Sequence, residues 1–152
     1  MSTVEEKQVK IRALHYKDVE DIAEIERLII GRERKDYWLM RIEVVGERSP
    51  MTCLVAEVEG KVVGFIIGEV AGWEYGVPDT VAWIDTLGVH PDYQGKGIAT
   101  MLFKRLTENL RKIGIKTVYT LVHWKSWDLI RFFAKMGFSK GEMVHLEMKL
   151  ED

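Results

Sequence analysis

The sequence predicts a mixed α/β fold in one domain, on three observations. Two apolar runs, residues 52–58 and 61–70, flank Glu59-Gly60, which reads as the two-residue turn of an antiparallel hairpin. Ile98, Met101, Leu102, Leu106, Leu110 and Ile113 keep helical spacing until Gly114. That helix stands between two runs of strand character, 81–89 and 117–122, and the succession strand, helix, strand predicts a crossover with parallel pairing.

The other elements follow in order. Residues 10–14 read as a first strand, and Asp18 is placed to cap a helix whose Val19, Ile22, Ile25 and Ile29 share one face until Gly31. Residues 37–45 form a second short helix. The Gly-rich stretch 71–80, with Trp73, Tyr75 and Pro78, is a loop. Residues 126–136 are an amphipathic helix ended by Gly137, and 143–150 alternate as a closing strand. A meander therefore comes first and a crossover later.

The length of 152 residues suits one domain, and no repeat, low-complexity tract or linker interrupts it. A single domain is expected over 1–152, with its core at about 8–150. Its 22 basic and 24 acidic side chains leave a net charge of -2, which gives no footprint for a nucleic-acid partner. Cys53, the single cysteine, excludes an intramolecular disulfide and a cysteine-rich zinc cluster, fits a reducing compartment, and reads as a small buried hydrophobe. His15, His90, His123 and His145 lack metal-ligand spacing, so no metal is expected. The charged first ten residues are not of signal-peptide type, and no stretch approaches about 18 apolar residues. A cytoplasmic protein away from the membrane is expected.

The chemistry concentrates in the run from Val89 to Thr100, where two glycines one residue apart join a strand to the long helix. Glycines let the backbone turn tightly and approach a ligand, and the first-turn N–H groups with the positive end of the helix dipole make an anion site. Lys96 adds charge at its rim. A P-loop would need glycine where His90 stands and Ser or Thr where Gly97 stands. A dinucleotide fingerprint would need Gly or Ala in place of Thr100, and an acid near Tyr119 or Thr120. Both patterns fail.

What remains, Gln94-Gly95-Lys96-Gly97-Ile98-Ala99, matches Gln/Arg-x-x-Gly-x-Gly/Ala at Gln94, Gly97 and Ala99, and there the chain resembles the GNAT superfamily of acetyl-CoA-dependent N-acetyltransferases. Lys135-Met136-Gly137-Phe138 after the last helix and Val63-Gly64-Phe65 on the third strand extend the resemblance over nearly the whole chain. It implies a central, mostly antiparallel twisted sheet flanked by helices, with parallel fourth and fifth strands that splay apart. The cofactor, acetyl-CoA as acetyl donor, would lie in that splay. Main-chain groups of Leu87 and Val89 would pair with its pantetheine arm. Backbone amides of Gln94, Gly95, Lys96, Gly97, Ile98, Ala99 and Thr100 would hold its pyrophosphate. The backbone N–H of Val89 or a neighbour would stabilise charge on the thioester oxygen during direct attack by an amine in a ternary complex.

An attacking amine must be neutral, so a carboxylate or a water relay removes its proton. Strict alternation puts Trp83, Asp85, Leu87 and Val89 on one face, and Asp85 is the candidate base, with a structural or substrate-anchoring acid as the other reading. The family's frequent glutamate aligns with Trp83. Its tyrosine general acid aligns with Phe133, which has no proton to give, and its common asparagine with Ser126, which can still hydrogen-bond the cofactor. Water, Tyr93 or Tyr119 would substitute as acid, and His123 could aid proton transfer.

The resemblance places acceptor recognition at 30–37, 71–80 and 139–144, where Glu33, Glu74, Asp79 and Glu142 could attract a cationic amine and Trp73 and Tyr75 could stack on it. The partner is then an amine, either on a small molecule or on a peptide or protein, and a homodimer is possible. From another class, an acetyl-CoA sensor or regulatory module without turnover would suit Phe133 and Ser126.

Overall fold

The apolar runs of the first half pair into an antiparallel meander. The computed structural model describes residues 8–43, 50–71 and 80–151. Most of the loop expected at 71–80, with Trp73, Glu74, Tyr75 and Asp79, lies outside the described residues, as does the end of the helix expected at 37–45. By contact the chain falls into two compact units, 1–121 and 122–152.

In the first unit β1 (Val9–Ala13), β2 (Cys53–Val58), β3 (Lys61–Ala71), β4 (Val81–Val89) and β5 (Thr117–Thr120) lie in sequence order in one sheet. The first four pair antiparallel; β5 runs parallel to β4. Glu59 and Gly60 take φ of 51° and 79°, the two left-handed conformations that a tight hairpin matched to strand twist requires.

Helix α1 (Val19–Ile30) and helix α2 (Lys35–Arg41) cover one face. Ile22, Ile25, Trp38 and Ile42 bury there against Val55, Phe65 and Ile67. Helix α3 (Ile98–Lys112) covers the other with Ile98, Leu102, Leu106 and Leu110. Gly64 and Gly68 of β3 allow that approach: an added Cβ would lie 3.1 Å from Ile98 and 3.4 Å from Leu106. Each buried Leu or Ile contributes about 1.5–3 kcal/mol relative to exposure, so both faces are well supported.

The helix stops match expectation, with Gly31 at φ 77° donating to Arg27 O over 2.8 Å. Asp18 departs from it. Its carboxylate makes no cap bond to α1; it accepts two bonds of 2.8 Å from Arg12 and one of 2.8 Å from the His15 N–H. A guanidinium on the neighbouring strand competes better for this buried carboxylate than a helix N–H does. Cys53 is buried in the core, and burial raises its thiol pKa, as a packing role requires.

Two buried carboxylates make stability depend on pH. Burial alone would raise the Asp18 pKa, but the bonds from Arg12 and His15 outweigh it and hold the group below the usual carboxylate range. Glu26 is lowered by Arg34, which bonds both its oxygens at 2.8 and 2.7 Å. Both folded-state values lie below the unfolded ones near about 4, so the stabilisation is present above that pH and is lost as pH falls through the folded values. The urea midpoint should hold steady between about pH 7 and pH 5 and drop below about pH 4. Asp18→Asn should flatten that drop.

In the second unit α4 (Trp127–Lys135) ends at Gly137, φ 107°. Phe133 is buried within it, its ring 5.3 Å from Phe132 and 5.0 Å from Phe138. The closing strand expected at 143–150 does not form: residues 138–151 carry neither helix nor strand, and Val144, Leu146, Met148 and Leu150 are exposed. Alternation defines a face, but a strand also needs a partner for its N–H and C=O groups, which alternation does not supply.

Candidate active site

The site begins with a fault in the β3 to β4 ladder. Ile67 pairs with Thr86 and Gly68 with Ile84, so Asp85 is the extra residue of a β-bulge. The bulge resets the alternation, which corrects the single face expected for Trp83, Asp85, Leu87 and Val89. Cross-strand partners share a face. Leu87 and Val89, opposite Ile66 and Gly64, therefore stand on the α3 side, and Trp83, opposite Glu69, on the α1 side. Asp85 reaches α2, where Arg41 Nη2 engages its Oδ2.

The same place marks the end of the β4 to β5 pairing. The ladder runs from Val81 and Thr117 to Ile84 and Thr120, and the Thr120 hydroxyl donates to the Ile84 carbonyl over 3.0 Å. From Asp85 onward β4 has no second partner strand among the described residues, which is the splay that the resemblance implied. His90 N–H donates to Val63 O over 2.7 Å, toward β3. Alternation then turns the main-chain groups of Leu87 and Val89 outward, to the edge β5 has left. The Val89 carbonyl on that edge accepts from the Gln94 side chain at 2.9 Å. Gln94 thus ties the edge to the turn that follows it.

That turn is shaped by glycine. Gly95 and Gly97 take φ of 76° and 84°, and Gly97 is the N-cap of α3 with no side-chain cap. Met101 N–H closes the first helical bond on Gly97 O at 3.0 Å, which leaves the N–H groups of Ile98, Ala99 and Thr100 pointing out of the first turn. Beyond the flanking residues nothing lies within 4 Å of where a Cβ on Gly95 or Gly97 would be, so the turn is open at both glycines. The Lys96 ammonium sits 5.5 Å from the Tyr93 ring centre, beside the turn. An open cluster of amides at a helix N-terminus, continuous with an outward strand edge, fits a ligand that has a pyrophosphate at one end and an amide-bearing arm at the other.

Of the proposed acids, Tyr119 packs on Trp83, 5.0 Å between ring centres, and Tyr93 lies against His90 at 5.8 Å. In the second unit Ser126 is the N-cap of α4 without a side-chain cap bond, and Phe133 is buried among aromatic rings. Three of the histidines brace the local backbone in the same way. Nδ1 of His15, His90 and His123 accepts from the backbone N–H two residues on, at 3.2, 3.1 and 3.1 Å. No group of three or more potential ligands for a metal occurs among the described residues, and none of their helices is long and apolar enough to cross a membrane.

The chain resembles known proteins in sequence and in fold. The sequence profile of the Acetyltransferase (GNAT) family matches residues 16–138. An acetyltransferase of Sodalis glossinidius (strain morsitans) is 33% identical over 139 residues, 91% of this chain and 92% of that protein. In fold the chain is similar to an aminoglycoside N-acetyltransferase in complex with CoA, with a TM-score of 0.76 at 15% identity over 93% of this chain and 94% of that one. It is similar also to a ribosomal-protein-alanine N-acetyltransferase from Brucella melitensis biovar Abortus, with a TM-score of 0.72 at 20% identity over 93% and 99%. The chain belongs to the GNAT family of acetyltransferases. Members of this family use acetyl-CoA as acetyl donor.

Arg41 and the bulge were not foreseen from the sequence. Neither leaves a local signal, because each is defined only once two distant segments are paired.

Proposed function

We propose that the chain works in the cytoplasm as a single N-acetyltransferase domain that moves an acetyl group from acetyl-CoA to a primary amine by direct attack. The observation that carries this reading is the continuity of the outward edge at Leu87 and Val89 with the amides at the start of α3. Gln94, Gly95, Lys96, Gly97, Ile98, Ala99 and Thr100 hold the pyrophosphate end, chiefly through backbone N–H groups. Leu87 and Val89 pair with the arm. When bound, acetyl-CoA supplies a thioester carbonyl open to a neutral amine and a thiolate that leaves readily.

The chain's own groups do the rest. Val89 N–H, fixed in the strand, donates to the carbonyl oxygen as negative charge develops there. Asp85 takes the proton of the acceptor ammonium. The proton for the departing sulfur comes from water, Tyr93 or Tyr119. The two structurally similar enzymes above act, by their names, on an aminoglycoside and on a ribosomal-protein alanine, a small molecule in one case and a protein in the other. Both acceptor classes stay within the proposal.

Free-thiol release from acetyl-CoA against a broad panel of amines tests it. Amine-dependent release is expected, with the productive amine naming the acceptor class. Binding of acetyl-CoA without release for any amine would replace the transferase by a sensor.

A further inference from the structure

Arg41 has no part in the acetyl transfer itself, yet it is paired with the carboxylate that serves as base. Both side chains of the Arg41 to Asp85 pair keep contact with solvent, at 22% and 36% exposure, so the pair adds little to stability. Its position is more informative. It lies on the bulge, where β5 leaves the sheet, two residues before the outward edge begins. Two residues before Asp85 on the same strand, Trp83 pairs with the exposed Glu69 of β3 and packs on Tyr119 of β5.

We propose that Arg41 determines acceptor specificity: its guanidinium holds, at Asp85, the place taken by the positive charge of the acceptor, which binds by exchanging with it. This rests on the reading of β4 as the acetyl-transfer edge. Exchange of one cation for another keeps Asp85 ionised and paired while the acceptor binds, so no carboxylate is left without a counter-charge before proton transfer. The long Arg41 side chain swings into solvent at modest cost because it starts part-exposed. A neutral acceptor has nothing to exchange, and one bearing a carboxylate gains Arg41 only by stripping Asp85. The favoured acceptors are therefore ammonium cations without a nearby anion.

Arg41→Gln and Arg41→Lys, with n-butylammonium as probe, test this. The Gln variant, having lost the competing charge, should bind the probe roughly three- to fivefold more tightly to the CoA-loaded protein, by calorimetry, and show the same fall in KM where the probe is acetylated. The Lys variant should stay near wild type, and high salt should shrink the difference. Affinity for acetyl-CoA should not change. Probe affinity that is unchanged or weaker in the Gln variant, or binding of the probe by neither protein, overturns the inference. Loss of acetyl-CoA binding by the wild type would instead defeat the reading of the edge.

Discussion

Asp85→Asn is expected to lower kcat for amine acetylation about a hundredfold while leaving the Kd for acetyl-CoA unchanged. Asparagine keeps the size and hydrogen-bonding shape of aspartate but can neither accept the acceptor's proton nor carry charge. The effect on rate should therefore fall on the chemical step, and loss of the charge should also weaken binding of the cationic acceptor. Stability should change little, because the Arg41 to Asp85 pair is part-exposed and such pairs contribute only about 0–1 kcal/mol. Thiol release at saturating acetyl-CoA measures the rate, and calorimetry measures the binding. A variant that keeps its kcat and loses only affinity for the amine would leave Asp85 an anchor for the acceptor and not its base.

Gly97→Val is the second large effect, and it falls on binding. At φ 84° a β-branched residue costs about 1–2 kcal/mol in the left-handed region. The new side chain meets no protein atom within 4 Å of its Cβ. It adds bulk at the turn where the pyrophosphate is proposed to sit. Affinity for acetyl-CoA should fall by about ten- to a hundredfold, with only a modest loss in Tm. Gly97→Ala should lie between. Thermal unfolding followed by circular dichroism separates the two effects, since strain alone would lower Tm without a matching loss of affinity.

These two residues illustrate how much the sequence discloses. The turn was legible because its chemistry is local: two glycines with positive φ, then a regular apolar helix face, occupy adjacent positions in the chain. The hairpin at Glu59-Gly60 and the stops at Gly31, Gly114 and Gly137 were legible for the same reason. The bulge was not, because it exists only as a mismatch between Ile67-Gly68 on one strand and Ile84 to Thr86 on another. A one-residue fault moved Leu87 and Val89 to the face opposite Trp83. Arg41 escaped notice because its partner lies far along the chain. Asp18 shows the converse, a residue with the chemistry of a helix cap that is claimed by Arg12. The expected strand at 143–150 had a pattern without a partner.

The outward edge of β4 and the first turn of α3 should together bind acetyl-CoA, and everything proposed for the reaction depends on it. Titration of the isotope-labelled protein with acetyl-CoA, followed by backbone amide NMR, observes both elements at once. Saturable shifts concentrated at the amides of Leu87 and Val89 and at those of Gly97, Ile98, Ala99 and Thr100 are expected. Saturable binding that leaves these amides unmoved, or no binding at all, would contradict the placement of the cofactor.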